Sequence, residues 1–163
     1  EMMLLEGKYY KDTLGNIFFY RQGTLLKDIN PTFIPVDESW VLENNLSLED
    51  VKNQKLEVFE KIKHEEITKD VEYKGFKFQN RDSDRNLLTS TVVLYSALGE
   101  VPKGFVWISS DNKQIPMSLN ELVELGAIMG SKVNEITLKA RFFKDAVLAA
   151  KSKEEVDQIE WVE

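Results

Sequence analysis

The chain has 163 residues, 42% hydrophobic and 30% charged, which suits a globular protein of one domain or one domain plus a smaller module. A net charge of −7, spread over both halves, disfavours nonspecific binding to nucleic acid or an anionic membrane. With no cysteine there are no disulfides, thiolates or cysteine-based zinc sites, and no apolar run approaches the ~20 residues of a membrane helix.

Met2–Leu5 is apolar but is followed at once by Glu6 and Gly7, which does not read as a signal peptide. Lys8–Gln22 carries Tyr9, Tyr10, Phe18, Phe19 and Tyr20 around the turn formers Asp12–Asn16. This predicts a β-hairpin with aromatics on both faces. Asn30–Leu42 holds two prolines and reads as an extended connection, anchored by Phe33 and Trp40. Ser47-Leu48-Glu49-Asp50 opens an amphipathic helix that runs to about Thr68, with Leu48, Val51, Val58, Phe59 and Ile62 on one face. A new strand pattern then begins, placing a domain boundary near residue 69.

In VEYKGFKF (Val71–Phe78), a two-residue turn at Lys74-Gly75 sets Tyr73 opposite Phe76 and Val71 opposite Phe78. The same register pairs Glu72 with Lys77 on the other face, as expected of a hairpin. From about Asp84 to Leu98, the spacing of Leu87, Leu88, Thr91, Leu94, Tyr95 and Leu98 predicts a helix that stops at Gly99. In VWISSDNKQIPM (Val106–Met117), a turn at Asp111-Asn112 pairs Ile108 with Ile115 and Val106 with Met117 on an inward face. Ser109 and Trp107 then lie on the other face, opposite Gln114 and Pro116, and Pro116 marks an edge strand.

Ser118-Leu119-Asn120-Glu121 is a second capping box. Apolar or small residues follow at Leu122, Leu125, Met129, Val133, Ile136, Ala140, Phe143, Val147 and Ala150, in steps of three or four. Either one helix runs from Leu119 to Lys151, about 50 Å at ~1.5 Å per residue, or Gly126 and Gly130 break it. A continuous helix would overhang its domain, and its stripe would need covering by the N-terminal module or by a second copy. Ser152–Glu155 opens a short last helix bearing Val156, Ile159 and Trp161. The fold class is α+β, with small β-hairpins packed on amphipathic helices.

Candidate chemistry is sparse. His64 is the only histidine and sits between Lys63 and Glu65 with no second ligand at metal spacing, as an exposed helical side chain would. Asp82-Ser83-Asp84 holds two carboxylates suited to a cation or to acid–base work. It also lies between a strand and a helix, where such residues cap free N–H groups, and Arg81 and Arg85 can neutralise both. Ser109, Ser110, Asp111 and Asn112 read as turn formers rather than a serine-and-carboxylate site. Gly126-x-x-x-Gly130, flanked by Glu124 and Lys132, reads as a close packing contact rather than a membrane dimer motif. Tyr73, Phe76 and Phe78 read as core rather than as a stacking platform for single-stranded nucleic acid. No Gly-x-Ser-x-Gly, Walker or Rossmann motif occurs.

The ordered set EYKGFKFQNRDSDRN, then VPKGFVWISSDNKQIPMSLNELVEL, then AAKSKEEVDQI resembles a C-terminal domain-of-unknown-function family of bacteriophage tail-associated proteins. Members are labelled tail fibre or tail fibre assembly proteins. The features that carry the resemblance are Gly75 and Phe78, Asp82–Asp84, Trp107, Asp111-Asn112, Leu119 and Leu122 after Ser118, and Ala149-Ala150, Glu154-Glu155 and Ile159. They cover about residues 70–162. The resemblance implies a phage tail context and brings no catalytic residue or cofactor. The expected function is non-enzymatic, as a tail fibre assembly chaperone or a small structural component of fibre or baseplate. The alternative is a phage accessory protein that binds and inhibits a host factor. Expected partners are other tail proteins and further copies of the chain as a dimer or trimer, with no nucleic acid or membrane, in the virion tail or the host cytoplasm. Candidate interface residues are Tyr9, Tyr10, Phe18, Phe19, Trp40, Phe105, Trp107, Leu122, Met129, Val133, Ile136 and Phe143.

Overall fold

The computed structural model describes residues 7–162, so the apolar run Met2–Leu5 lies outside the described residues. The chain divides into two compact units, Glu1–Val51 and Lys52–Glu163.

In the first unit, β1 (Lys8–Lys11) pairs antiparallel with β2 (Ile17–Tyr20) and with β3 (Ile34–Val36), in the order β2-β1-β3. The expected hairpin forms because the Asp12 carboxylate accepts the N–H groups of Leu14 and Asn16 at 2.8 and 2.9 Å, and Gly15 supplies a φ of 87°. Its aromatics pack as expected: Tyr9 on Phe19 at 4.8 Å, Tyr10 on Tyr20 at 5.6 Å, and Phe18 on Phe33 at 4.5 Å between ring centroids. The segment expected to be a plain extended connection does more. Its middle becomes β3, where Pro35 is tolerated because the strand is an edge. Its end becomes α1 (Glu38–Asn44), because Asp37 caps it by accepting the Trp40 N–H at 2.7 Å. Helix α2 (Leu48–Thr68) starts at the expected capping box: Ser47 Oγ accepts the Asp50 N–H at 3.1 Å, and Asp50 accepts the Ser47 N–H at 2.9 Å.

The unit boundary falls at Val51, not near residue 69, so the body of α2 belongs to the second unit. The cause is its buried Phe59, whose ring lies 5.5 Å from Phe143 and 5.9 Å from Trp161. The second unit continues with β4 (Val71–Tyr73), β5 (Phe76–Phe78), α3 (Asp82–Leu98), β6 (Val106–Ile108), β7 (Gln114–Pro116), α4 (Leu119–Ala149) and α5 (Lys153–Asp157). The chain is therefore α+β, with small antiparallel sheets and a long C-terminal helix. The β4–β5 hairpin has the expected register, with Lys74 and Gly75 at φ 54° and 78°.

The β6–β7 register differs from expectation by one residue: Trp107 pairs with Ile115, Ile108 with Gln114, and Val106 with Pro116. The loop has three residues, not two. Asn112 N–H reaches Ser109 O at 2.9 Å, Asn112 takes a φ of 60°, and Ser109 N–H closes on Lys113 O at 3.0 Å. A turn followed by one left-handed residue slips the ladder by one position. Trp107 and Ile115 accordingly pack on the core, Met117 is buried, and Ile108 is 49% exposed instead of facing inward.

Helix α4 is unbroken over 31 residues, about 46 Å at ~1.5 Å per residue. Gly126 does not break it and lies beside α3, where a Cβ would meet Leu88 Cδ2 in ordinary contact at 3.5 Å, whereas Gly130 faces open space. Leu122, Leu125 and Met129 form the core with Val71, Phe78, Leu88 and Met117. Ile136, Ala140, Phe143, Val147 and Ala150 are also buried. The far end of the stripe is covered by the chain itself, through Phe59 of α2, Trp161, and the Lys52 ammonium on Leu148 O at 2.8 Å. It needs no second copy to hide it. The caps of α4 and α5 are the expected ones, Ser118 with Glu121 and Ser152 with Glu155.

Candidate protein-binding groove

Helix α3 is uncharged from Asn86 to Leu98, and its apolar residues exceed one helical face. The side bearing Leu88 turns to α4 and is buried. Leu87, Leu94 and Leu98, at successive spacings of seven and four, form a neighbouring ridge and are 60%, 56% and 68% exposed. Leu87 and Thr91 of this helix make one wall of a groove of about 370 Å³. Phe105, Val106, Trp107 and Ile108 make the other, and the polar Gln79, Asp84, Ser109 and Asn112 complete the lining. Its volume is that of a small binding cleft.

Three of these polar side chains, Gln79, Asp84 and Ser109, are already engaged. Asp84 accepts from Arg81 Nε at 2.8 Å, Nη2 at 3.0 Å and the Arg81 main-chain N–H at 3.0 Å. That guanidinium holds the Asp84 carboxyl below its usual range. Asp82 pairs with Arg85. Both carboxylates of the Asp-Ser-Asp cluster therefore face arginines, as their spacing suggested. Ser109, 3% exposed, donates to Asp111 Oδ1 at 2.5 Å and accepts the Lys113 N–H at 3.0 Å. Asp111 is held low first by Lys113, 2.7 Å away, and then by Ser109. These are the bonds of a turn, and His64 is exposed on α2, away from the groove lining. Among the described residues no group of three or more His, Cys, Asp or Glu is placed to hold a metal ion, and no helix is long and apolar enough to cross a membrane.

The twelve candidate interface residues separate into three places. Tyr9, Tyr10, Phe18, Phe19 and Trp40 lie in the first unit, where Tyr10 is buried, Phe18 and Phe19 are exposed, and Trp40 carries the Lys11 ammonium 4.4 Å from its ring centroid. Phe105 and Trp107 line the groove. Leu122, Met129, Ile136 and Phe143 are buried in the second unit, with Val133 half-buried, so the α4 set is core and not interface. Ile108, expected to face inward, instead lines the groove, together with Leu87 and Thr91 of α3. The surplus of apolar residues on an uncharged α3 is the signal that points to them.

Residues 50–160 match the family described as Domain of unknown function (DUF4376), and the chain belongs to that family. No curated protein and no solved structure matches the chain.

Proposed function

We propose that the chain is a non-enzymatic bacteriophage tail protein that works by binding other proteins, as a tail fibre assembly chaperone or a small structural component of fibre or baseplate. The observation that carries the binding role is the groove: apolar walls left uncovered, with its one carboxylate neutralised by Arg81 and its serine committed to a turn. The tail context rests on the ordered motifs from Gly75 to Ile159 and their resemblance to tail-associated proteins. A groove built this way offers shape and apolar area rather than a reacting group, which suits a chaperone or a connector.

The experiment is a pull-down of the tagged chain from infected cells, followed by mass spectrometry. A fibre or baseplate protein as the main captured species supports the proposal. Capture of a host protein, with the chain absent from purified virions, would replace it with inhibition of a host factor. Self-association through α4 is no part of the proposal, because that stripe is buried within the chain.

A further inference from the structure

The β6–β7 sheet has two strands and therefore two outer edges, and they are unlike. Ser109 N–H bonds Lys113 O, so the hydrogen-bonded rungs fall on Ser109 and on Trp107 with Ile115. The main-chain N–H and C=O of Val106 and Ile108 then point away from β7. Ser110 continues that phase, and its N–H reaches across the same edge to Lys77 O at 2.8 Å. Among the described residues, no partner occurs for the main chain of Val106 or Ile108. On the other strand, Pro116 faces the outer edge of β7 in the same way and lacks a donor there, which blunts that edge. The β6 edge carries no proline, lysine or other charge to protect it.

The loop end of this edge is held by β5 through Lys77, and the part at Val106 and Ile108 opens into the groove. The lining takes consecutive residues of β6 from both of its faces and none of β7, with Leu87 and Thr91 of α3 opposite. The occupant must therefore satisfy main-chain groups that repeat about every 7 Å, at ~3.4 Å per strand residue. Another extended main chain does this at every second residue. A helix cannot, because its own N–H and C=O groups are paired internally.

We propose that β6 is a strand-addition site: it takes an extended, uncharged peptide segment of a partner protein as a third strand. Alternate apolar side chains of that segment pack against Leu87 and Ile108. Main-chain bonds supply affinity and the groove walls supply selectivity. The proposal rests on the reading of the chain as a protein-binding protein, but not on the tail context.

The test selects binders from a random dodecapeptide display library on the full chain. The recovered peptides are then measured against the wild type, Ile108→Pro and Leu87→Lys. Ile108→Pro removes one edge donor without touching the β7 ladder, and Leu87→Lys charges an exposed wall without disturbing the core. Recovered sequences should alternate apolar and polar residues, and each variant should weaken binding about tenfold or more, roughly one hydrogen bond or one desolvated charge. Methylating alternate peptide amides should abolish binding in one phase and spare it in the other. Peptides with helical spacing that ignore Ile108→Pro, or no enrichment over Leu87→Lys, would overturn the proposal. So would a chain that doubles its mass in light scattering and loses the doubling in Ile108→Pro, which would assign the edge to a second copy. Any of these results leaves the infected-cell pull-down free to succeed, so the two readings fail separately.

Discussion

Two hairpins of the second unit are built from similar letters and behave differently. In β4–β5 a lysine and a glycine both take positive φ, the loop has two residues, and Val71 and Phe78 face each other in the core. In β6–β7 only Asn112 takes positive φ, the loop has three residues, and the apolar Ile108 is turned outward. The difference teaches that a hairpin's faces are decided by how many loop residues are left-handed, before any side chain is packed.

The sharpest way to break this comparison is to truncate one apolar residue from each hairpin. Phe78→Ala should cost about 3–5 kcal/mol, because Phe78 is fully buried. Ile108→Ala should cost under about 1 kcal/mol, because half of that side chain already meets water. Equal losses in urea unfolding would show that the β6–β7 register is not the one described.

The loops come next. Ser109→Ala leaves the Lys113 N–H without its acceptor and should cost about 1–2 kcal/mol. A hydrolytic activity lost with the same substitution would contradict the turn role altogether. Gly75→Ala meets no atom within 4 Å but must hold φ at 78°, so it should cost about 1–2 kcal/mol by conformation alone. Asn112→Gly, by contrast, should leave thermal stability nearly unchanged, since glycine adopts the same left-handed backbone freely.

The smallest effect is electrostatic and sits on the β4–β5 hairpin. The Tyr73 hydroxyl donates to Glu124, and this bond pushes its pKa up to about 12. The raised value favours the neutral folded state. Its contribution is complete below the ordinary 10.0 and is lost as pH rises from there towards about 12. Tyrosinate absorbance should show one late-titrating tyrosine, and Glu124→Gln should return it towards the ordinary range.

Much of the fold could be read in advance, for local reasons. Three helix starts followed from a serine and an acid three residues on, and Gly75 announced its own turn. What could not be read depended on distant partners. Asp111-Asn112 supports a two- or a three-residue loop equally well as a string of letters. The stripe of α4 looked unpartnered because its cover, Phe59 and Trp161, comes from the far ends of the second unit. The groove was hidden for the converse reason. Leu87 and Leu88 are adjacent and equally apolar, and only the approach of α4 decides that one is core and the other wall.

Gly126 of α4 lies on that approach and is not among the residues that line the groove. It lies against Leu88, on the core side of the helix whose other flank carries Leu87 and Thr91. An alanine there would meet Leu88 in ordinary contact, but a larger side chain would have to displace it, and α3 with it. The size of one side chain in α4, once larger than alanine, thus becomes a spacer gauge for a cleft on the far side of a neighbouring helix. Relatives could widen or narrow that cleft, and so change what it accepts, without altering any residue that lines it.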